Sequence, residues 1–276
     1  MVAACSNVAN GFKEYLSLHG WLQFIVICFT YSAAWHAYTH FNARFSETSL
    51  LHYVFLYILL IGLGSMVLAS EPGPTFTIGL ILIRVALLCM NASVYMSLPQ
   101  GRVKARTDLV FDFIVTVFSV VALSVDSFTF TIVVYAATSV CQILFALFVA
   151  KFSWFASSCI PINFDHVADR EGSLVMVALG ESVVSAVINS RQHEHELPTK
   201  FYAAMQLSVL IIFALAIFYF ATRPPRDMHA MRRSVNTGAA FTALHFILLP
   251  TLLAVGVGIK LVSEAVLHHE SLSKTA

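Results

Sequence analysis

The chain is 276 residues long, 58% hydrophobic and only 11% charged, with a formal net charge of +1. Soluble domains are about 45–50% apolar and roughly 25% charged. Sixteen Lys and Arg with fifteen Asp and Glu cannot cover a water-facing surface of this size, which excludes a soluble enzyme, a disordered chain and a disulfide scaffold.

An all-α polytopic membrane protein is the class that remains, and at about 20 apolar residues per crossing the length allows eight or nine spans at most. Residues 1–20 read as an N-terminal segment, 21–260 as a single transmembrane helical domain, and 261–276 as a tail. The first twenty residues hold Lys13 and Glu14 and no apolar core of a signal peptide. Eight apolar stretches follow in order: 21–41, 50–69, 76–98, 109–125, 128–150, 173–189, 201–222 and 237–259. The runs are continuous rather than alternating, so they predict helices and not barrel strands.

Glu71-Pro72-Gly73-Pro74 marks a tight turn, Pro99-Gln100-Gly101 ends the third helix, and Arg223-Pro224-Pro225-Arg226 stops the seventh. Only Asp126 and Ser127 separate the fourth and fifth, which reads as a short helical hairpin. Residues 152–162 are too short and too broken by Pro161 to span, and are expected at the interface.

With eight crossings, Lys13, Arg191, Lys200, Lys260 and Lys274 fall on one face of the membrane. Arg44, Arg102, Lys104, Arg106, Lys151, Arg170, Arg223, Arg226, Arg232 and Arg233 fall on the other. The positive-inside rule assigns the second face to the cytoplasm, or to the matrix of a mitochondrion. Cys28, Cys89 and Cys141 lie in apolar stretches and Cys5 and Cys159 outside them, with no ligand spacing among them. They read as small buried hydrophobes.

Charges at bilayer depth are costly and mark sites. Arg84 and Glu181 each lie about eight residues into their helices from the same side, roughly 12 Å deep, and His245 lies at a similar depth. This predicts a midplane site of Glu181, Arg84 and His245 built on an Arg84–Glu181 pair. A static polar clasp and a water-lined ion or proton pathway are the competing meanings. A second polar cluster is expected at the cytoplasmic boundary. His36 and His40 share a helical face, His52 opens the second helix, Asp108 and Asp112 open the fourth, and Arg44 lies in the first loop.

Two His at i, i+4 with an Asp suit zinc or iron, but the histidine boxes of membrane di-iron enzymes are absent. His268-His269 lacks a third histidine and His193/His195 sits on the other face. No metal and no cofactor is therefore assigned. Gly62 and Gly64, and Gly256 and Gly258, are expected to permit close helix packing. The 23 Phe are expected to face lipid.

The stretch His166-Val-Ala-Asp-Arg-Glu-Gly-Ser-Leu-Val-Met-Val-Ala-Leu-Gly-Glu-Ser-Val-Val184 resembles the signature of the low temperature requirement A (LtrA) family: a His, an acidic residue, an Arg and an apolar run ending in (A/V)LGES. Trp35-His-Ala-Tyr-Thr-His-Phe-Asn-Ala-Arg-Phe45 is similar to its aromatic segment, and His245-Phe-Ile-Leu-Leu-Pro250 with Gly256 and Gly258 to its late glycine helix. The resemblance covers 21–260. It implies a multi-pass helical fold and marks His166, Asp169, Arg170, Gly180, Glu181 and Ser182 as the family motif. Arg84 falls where the family carries a basic residue. Glu171 departs from the pattern, standing where an aromatic residue or His is usual. No E-L-F-F-D-L-x-F segment precedes Trp21, so the chain reads as a shortened member or a partial gene product.

The expected function is ion- or proton-linked transport or conductance, with Glu181 titrating, Arg84 as counter-charge and His245 as relay. A non-transporting structural or assembly subunit of a membrane complex is the alternative, and a metal enzyme built on His36, His40 and His52 a further one. The expected partners are the lipid bilayer and an ion or proton. A homo-oligomer or membrane-complex partners stay open, and nucleic acid is not expected.

Overall fold

The structure is a computed structural model that describes residues 2–14, 17–69, 71–125, 127–151, 160–191 and 199–275. Ten α-helices are found among them: α1 Val2–Glu14, α2 Leu18–Asn42, α3 Leu50–Leu68, α4 Pro74–Ser97, α5 Arg102–Ser124, α6 Phe128–Lys151, α7 Phe164–Arg191, α8 Thr199–Ala221, α9 Ala230–Arg233 and α10 Val235–Thr275. No strand occurs among the described residues. Pro74 starts α4 at its first turn, where the missing N–H costs nothing. Ser17 and Ser49 cap α2 and α3 by accepting from the backbone N–H of Gly20 and His52.

All eight apolar stretches are helices, with two changes of consequence. The fourth begins at Arg102 rather than 109, and the sixth at Phe164 rather than 173. A short helix, α1, also precedes them. Its Ala4, Cys5, Val8, Ala9 and Phe12 are buried in the same core as α2, and Phe12 stacks on Phe24. Residues 152–159 and His193 and His195 lie outside the described residues. Cys141 is exposed, against the expectation of a buried hydrophobe, whereas Cys5 and Cys28 are buried.

Among the described residues six helices are long and apolar enough to cross a membrane: α3, α4, α5 with its preceding turn, α6, α8 and α10. The helices α2 and α7 are longer than most of these, at 25 and 28 residues, but less apolar. Their polar groups are turned inward: Thr30, Ser32, His36 and Thr39 on α2, and Glu171, Glu181 and Ser182 on α7, are all buried. Such groups are held on central helices because there they face the bundle interior rather than lipid. The outward face is the reverse, with Leu50, Tyr57, Leu207, Leu210 and Phe218 more than half exposed, as lipid contact allows. Within the bundle 56% of the apolar window of α4 is buried against 17% for α8, so α4 is central and α8 peripheral.

Helices α3, α4 and α5 pack in succession, α7 packs against α10 and α8, and α2 lies between the groups against α6, α10 and α1. The α3–α4 contact rests on two glycines. A Cβ on Gly62 would sit 2.6 Å from the Gly79 carbonyl oxygen, and one on Gly79 would sit 2.5 Å from that of Gly62. The α7–α10 contact uses Gly256, where a Cβ would fall 2.6 Å from Ser182 Oγ. Gly64 and Gly258 have open space instead.

The connection from α8 to α10 is capped by His229, whose Nδ1 accepts from the Met231 N–H at 3.3 Å. Burial, aided by the Arg223 charge and opposed by Asp165, holds this imidazole below its ordinary value of 6.5. A lowered base binds fewer protons folded than unfolded, so its stabilisation is complete above pH 6.5 and is lost as pH falls through the folded value. Acidification from pH 7.5 to 5 is expected to lower the protection of the Met231 amide, read as its exchange rate relative to the intrinsic rate at each pH. His229→Asn, which caps without titrating, is expected to abolish that dependence.

Candidate functional site

The ends of α2, α4, α5, α6 and α10 enclose a cavity of about 470 Å³. Its walls are apolar, with Phe41, Leu87, Phe111, Phe145 and Phe246 among them, and a strap of residues Ile160, Pro161 and Ile162 lines it as well. That strap is tied to the end of α2: the Asn163 N–H donates to the Ala43 carbonyl at 2.8 Å, and Arg44 donates to the Ile160 carbonyl at 3.2 Å. Arg44 and Lys104 also line the cavity.

The floor of the cavity is charged. Arg84 donates to Asp112 Oδ1 at 3.0 Å and to Gln142 Oε1 at 2.8 Å, while Asn91 Nδ2 lies 3.5 Å from Asp112 Oδ2. Gln142 in turn donates to the Ala33 carbonyl at 2.7 Å, which ties α6 to α2. Arg84 is 2% exposed and Asp112 5%. Nearer the mouth, Lys104 and Asp108 form an i, i+4 pair on α5.

The predicted Arg84–Glu181 pair is not formed. Arg84 is engaged by α5 and α6, whereas Glu181 is buried on α7 within electrostatic reach of Cys5 on α1. The helix starts explain the exchange. Beginning α5 at residue 102 carries Asp112 about 10 Å further into the bundle than a start at 109. That brings it level with Arg84. Beginning α7 at 164 carries Glu181 roughly 13 Å further from the basic end.

The two polar groups expected from the sequence are therefore regrouped. His36, His40, Arg44, Asp108 and Asp112 line one cavity, as their cluster required, and Arg84 joins them. His52 does not line it; buried at the start of α3, it stacks on Phe41 with rings 6.0 Å apart. His245 is bound elsewhere, with Nδ1 donating to the Phe241 carbonyl at 2.8 Å and Nε2 2.9 Å from the Tyr219 hydroxyl. Among the described residues no three His, Cys, Asp or Glu side chains gather as a metal-binding group.

Within the His166–Ser182 stretch, Asp169 and Gly180 are exposed and Arg170 lies 6.0 Å over the Trp35 ring. The His166 backbone N–H donates to Asn163 Oδ1 at 3.2 Å, and Ser182 donates to the Ala178 carbonyl at 3.1 Å beside Gly256.

Glu171 was not among the residues the sequence singled out as a site. It is 0% exposed, and its Oε1 lies 3.1 Å from His36 Nε2. A signal was available. Val167, Glu171, Leu174, Val175, Ala178 and Ser182 are all buried and recur at helical spacing. Extending that stripe back from Ala178 points Glu171 inward.

Long apolar helices around a cavity with a buried ion pair at its floor define an integral, multi-pass helical membrane protein with a buried polar site. The chain belongs to the LtrA family: the family model described as Bacterial low temperature requirement A protein (LtrA) matches residues 1–276. No curated protein and no solved structure matches it.

Proposed function

We propose that this protein carries out proton-linked transport, with the cavity as the path from the basic face and Arg84, Asp112 and Gln142 as its inner site. The observation that carries this reading is the buried Arg84–Asp112 pair at the floor of the cavity. A buried ion pair is a poor way to stabilise a fold, since apolar residues of similar volume do as well or better. In a membrane interior such groups mark ion and proton pathways when they face a cavity. Asp112 is the carboxylate that accepts and releases the proton. Arg84 is its counter-charge and stays held by Gln142 in either state. His36, His40 and Asp108 line the route from the mouth. Glu181 and His245 have other neighbours and are not part of this inner site.

The test is proton uptake by proteoliposomes under a potassium diffusion potential, read with an enclosed pH dye. Wild-type protein is expected to acidify the lumen well above protein-free vesicles, and a folded Arg84→Met/Asp112→Leu double variant to fall to their level. Wild-type flux in that variant would remove the pair from the mechanism.

A further inference from the structure

Glu171 is a fully buried carboxyl group. Among the described residues neither of its oxygens has an aligned hydrogen-bond donor, and the imidazole of His36 is beside it at ion-pair distance, 3.1 Å. His36 Nδ1 lies 2.7 Å from the Ser32 carbonyl oxygen. A carbonyl only accepts, so Nδ1 carries a hydrogen, and in a neutral ring Nε2 then bears a lone pair. A lone pair facing an ionised carboxylate is repulsive, and a carboxylate buried without a donor costs several kcal/mol. A single proton on either atom removes both penalties.

We propose that His36 and Glu171 form a proton-binding site that holds one shared proton at neutral pH, and that His36 exchanges it with the cavity. The proton moves between His36 Nε2 and Glu171 Oε1, so the site alternates between imidazolium–carboxylate and imidazole–carboxylic acid with no change in total charge. His36 lines the cavity and Glu171 lies behind it on α7, so the imidazole is the connection between them. Phe246 stacks on the ring at 4.2 Å and 18° and holds its plane.

The surrounding ionisable groups leave this role to the pair. His40, one turn along α2, lies 6.3 Å away ring to ring. Tyr219 on α8 lies within electrostatic reach of Glu171, and His245 on α10 within reach of both Glu171 and His36, while Arg223, just past the end of α8, lies beside Tyr219. His245 is already satisfied as a neutral ring by Phe241 and Tyr219.

This inference deepens the transport reading, but its test does not depend on flux. Difference infrared spectroscopy of the purified protein in detergent, across a pH change, reads the pair directly. Among its pH-dependent bands, wild type is expected to show a protonation event with glutamic-acid or imidazolium bands that belongs to this pair. That event is expected to vanish in both Glu171→Gln and His36→Asn, because each partner needs the other. A His36→Phe/Glu171→Met double variant, with an apolar pair in place of the polar one, guards against loss by misfolding and is expected to lack the event while unfolding like wild type. The same event persisting in Glu171→Gln, or the Glu171 bands unchanged in His36→Asn, would overturn the proposal. An infrared event without proton flux would sink the transport reading alone. Flux without the event would sink this site alone.

Discussion

Replacing Arg84 with methionine is expected to lower stability by about 3–5 kcal/mol, because it leaves Asp112 buried without its counter-charge. Asp112→Leu is expected to cost as much by stranding the guanidinium. The double variant is expected to regain wild-type stability or exceed it, since two apolar side chains incur none of the desolvation that the ion pair suffers. Chemical unfolding in detergent micelles measures all three, and the coupling between the two sites is the quantity of interest. Additive losses would mean that the pair seen at 3.0 Å contributes nothing as a pair. The same double variant serves the flux assay, so loss of transport in it cannot be ascribed to loss of the fold.

The second large effect is expected at the contact of α3 and α4. Gly62→Ala and Gly79→Ala each place a methyl group against a backbone carbonyl, at 2.6 and 2.5 Å. No rotamer change relieves a clash with backbone, so the helices must separate, at a cost of about 1–3 kcal/mol for each substitution. Once separated for one methyl they admit the other, so the double variant is expected to cost less than the sum. Gly64→Ala is the control. Nothing lies within 4 Å of its Cβ position, and the gain in helix propensity makes it neutral or stabilising by up to roughly 1 kcal/mol. A loss at Gly64 equal to that at Gly62 would refute the packing argument.

These glycines also show how far a sequence can be read. Gly62 and Gly256 were visible as candidates for close approach, and each does face a neighbouring helix. Their companions Gly64 and Gly258 looked equivalent in the chain and point into open space. Residues two apart differ by some 200° around a helix, so only one of each pair can face a given neighbour. Gly79, the partner of Gly62, stood in a stretch with no second glycine nearby, and nothing local distinguished it.

The polar residues divide in the same way. That His36, His40, Asp108 and Asp112 belong near one another followed from helix faces and from the end of the bundle they share. That Arg84 belongs with them, and not with Glu181, followed from nothing within either segment. Residues at equal depth meet only when the helix starts that set their depth are known. Charged first turns, 102–108 in α5 and 164–172 in α7, lie outside an apolar window yet are helical. Moving a start by seven or nine residues changes which side chains are level.

The sequence by itself determined the membrane class, the helical content, the order of the apolar helices and the family. Each is a property of a continuous segment, because the hydrophobic effect sums along a helix whatever surrounds it. The tertiary structure alone decided the partners: Asp112 and Gln142 for Arg84, His36 for Glu171, Gly79 for Gly62. Pairing depends on the rotation and crossing of helices far apart in the chain, 28 residues for Arg84–Asp112 and 58 for Arg84–Gln142. That geometry is set by packing of the whole bundle and leaves no trace in the local order of residues.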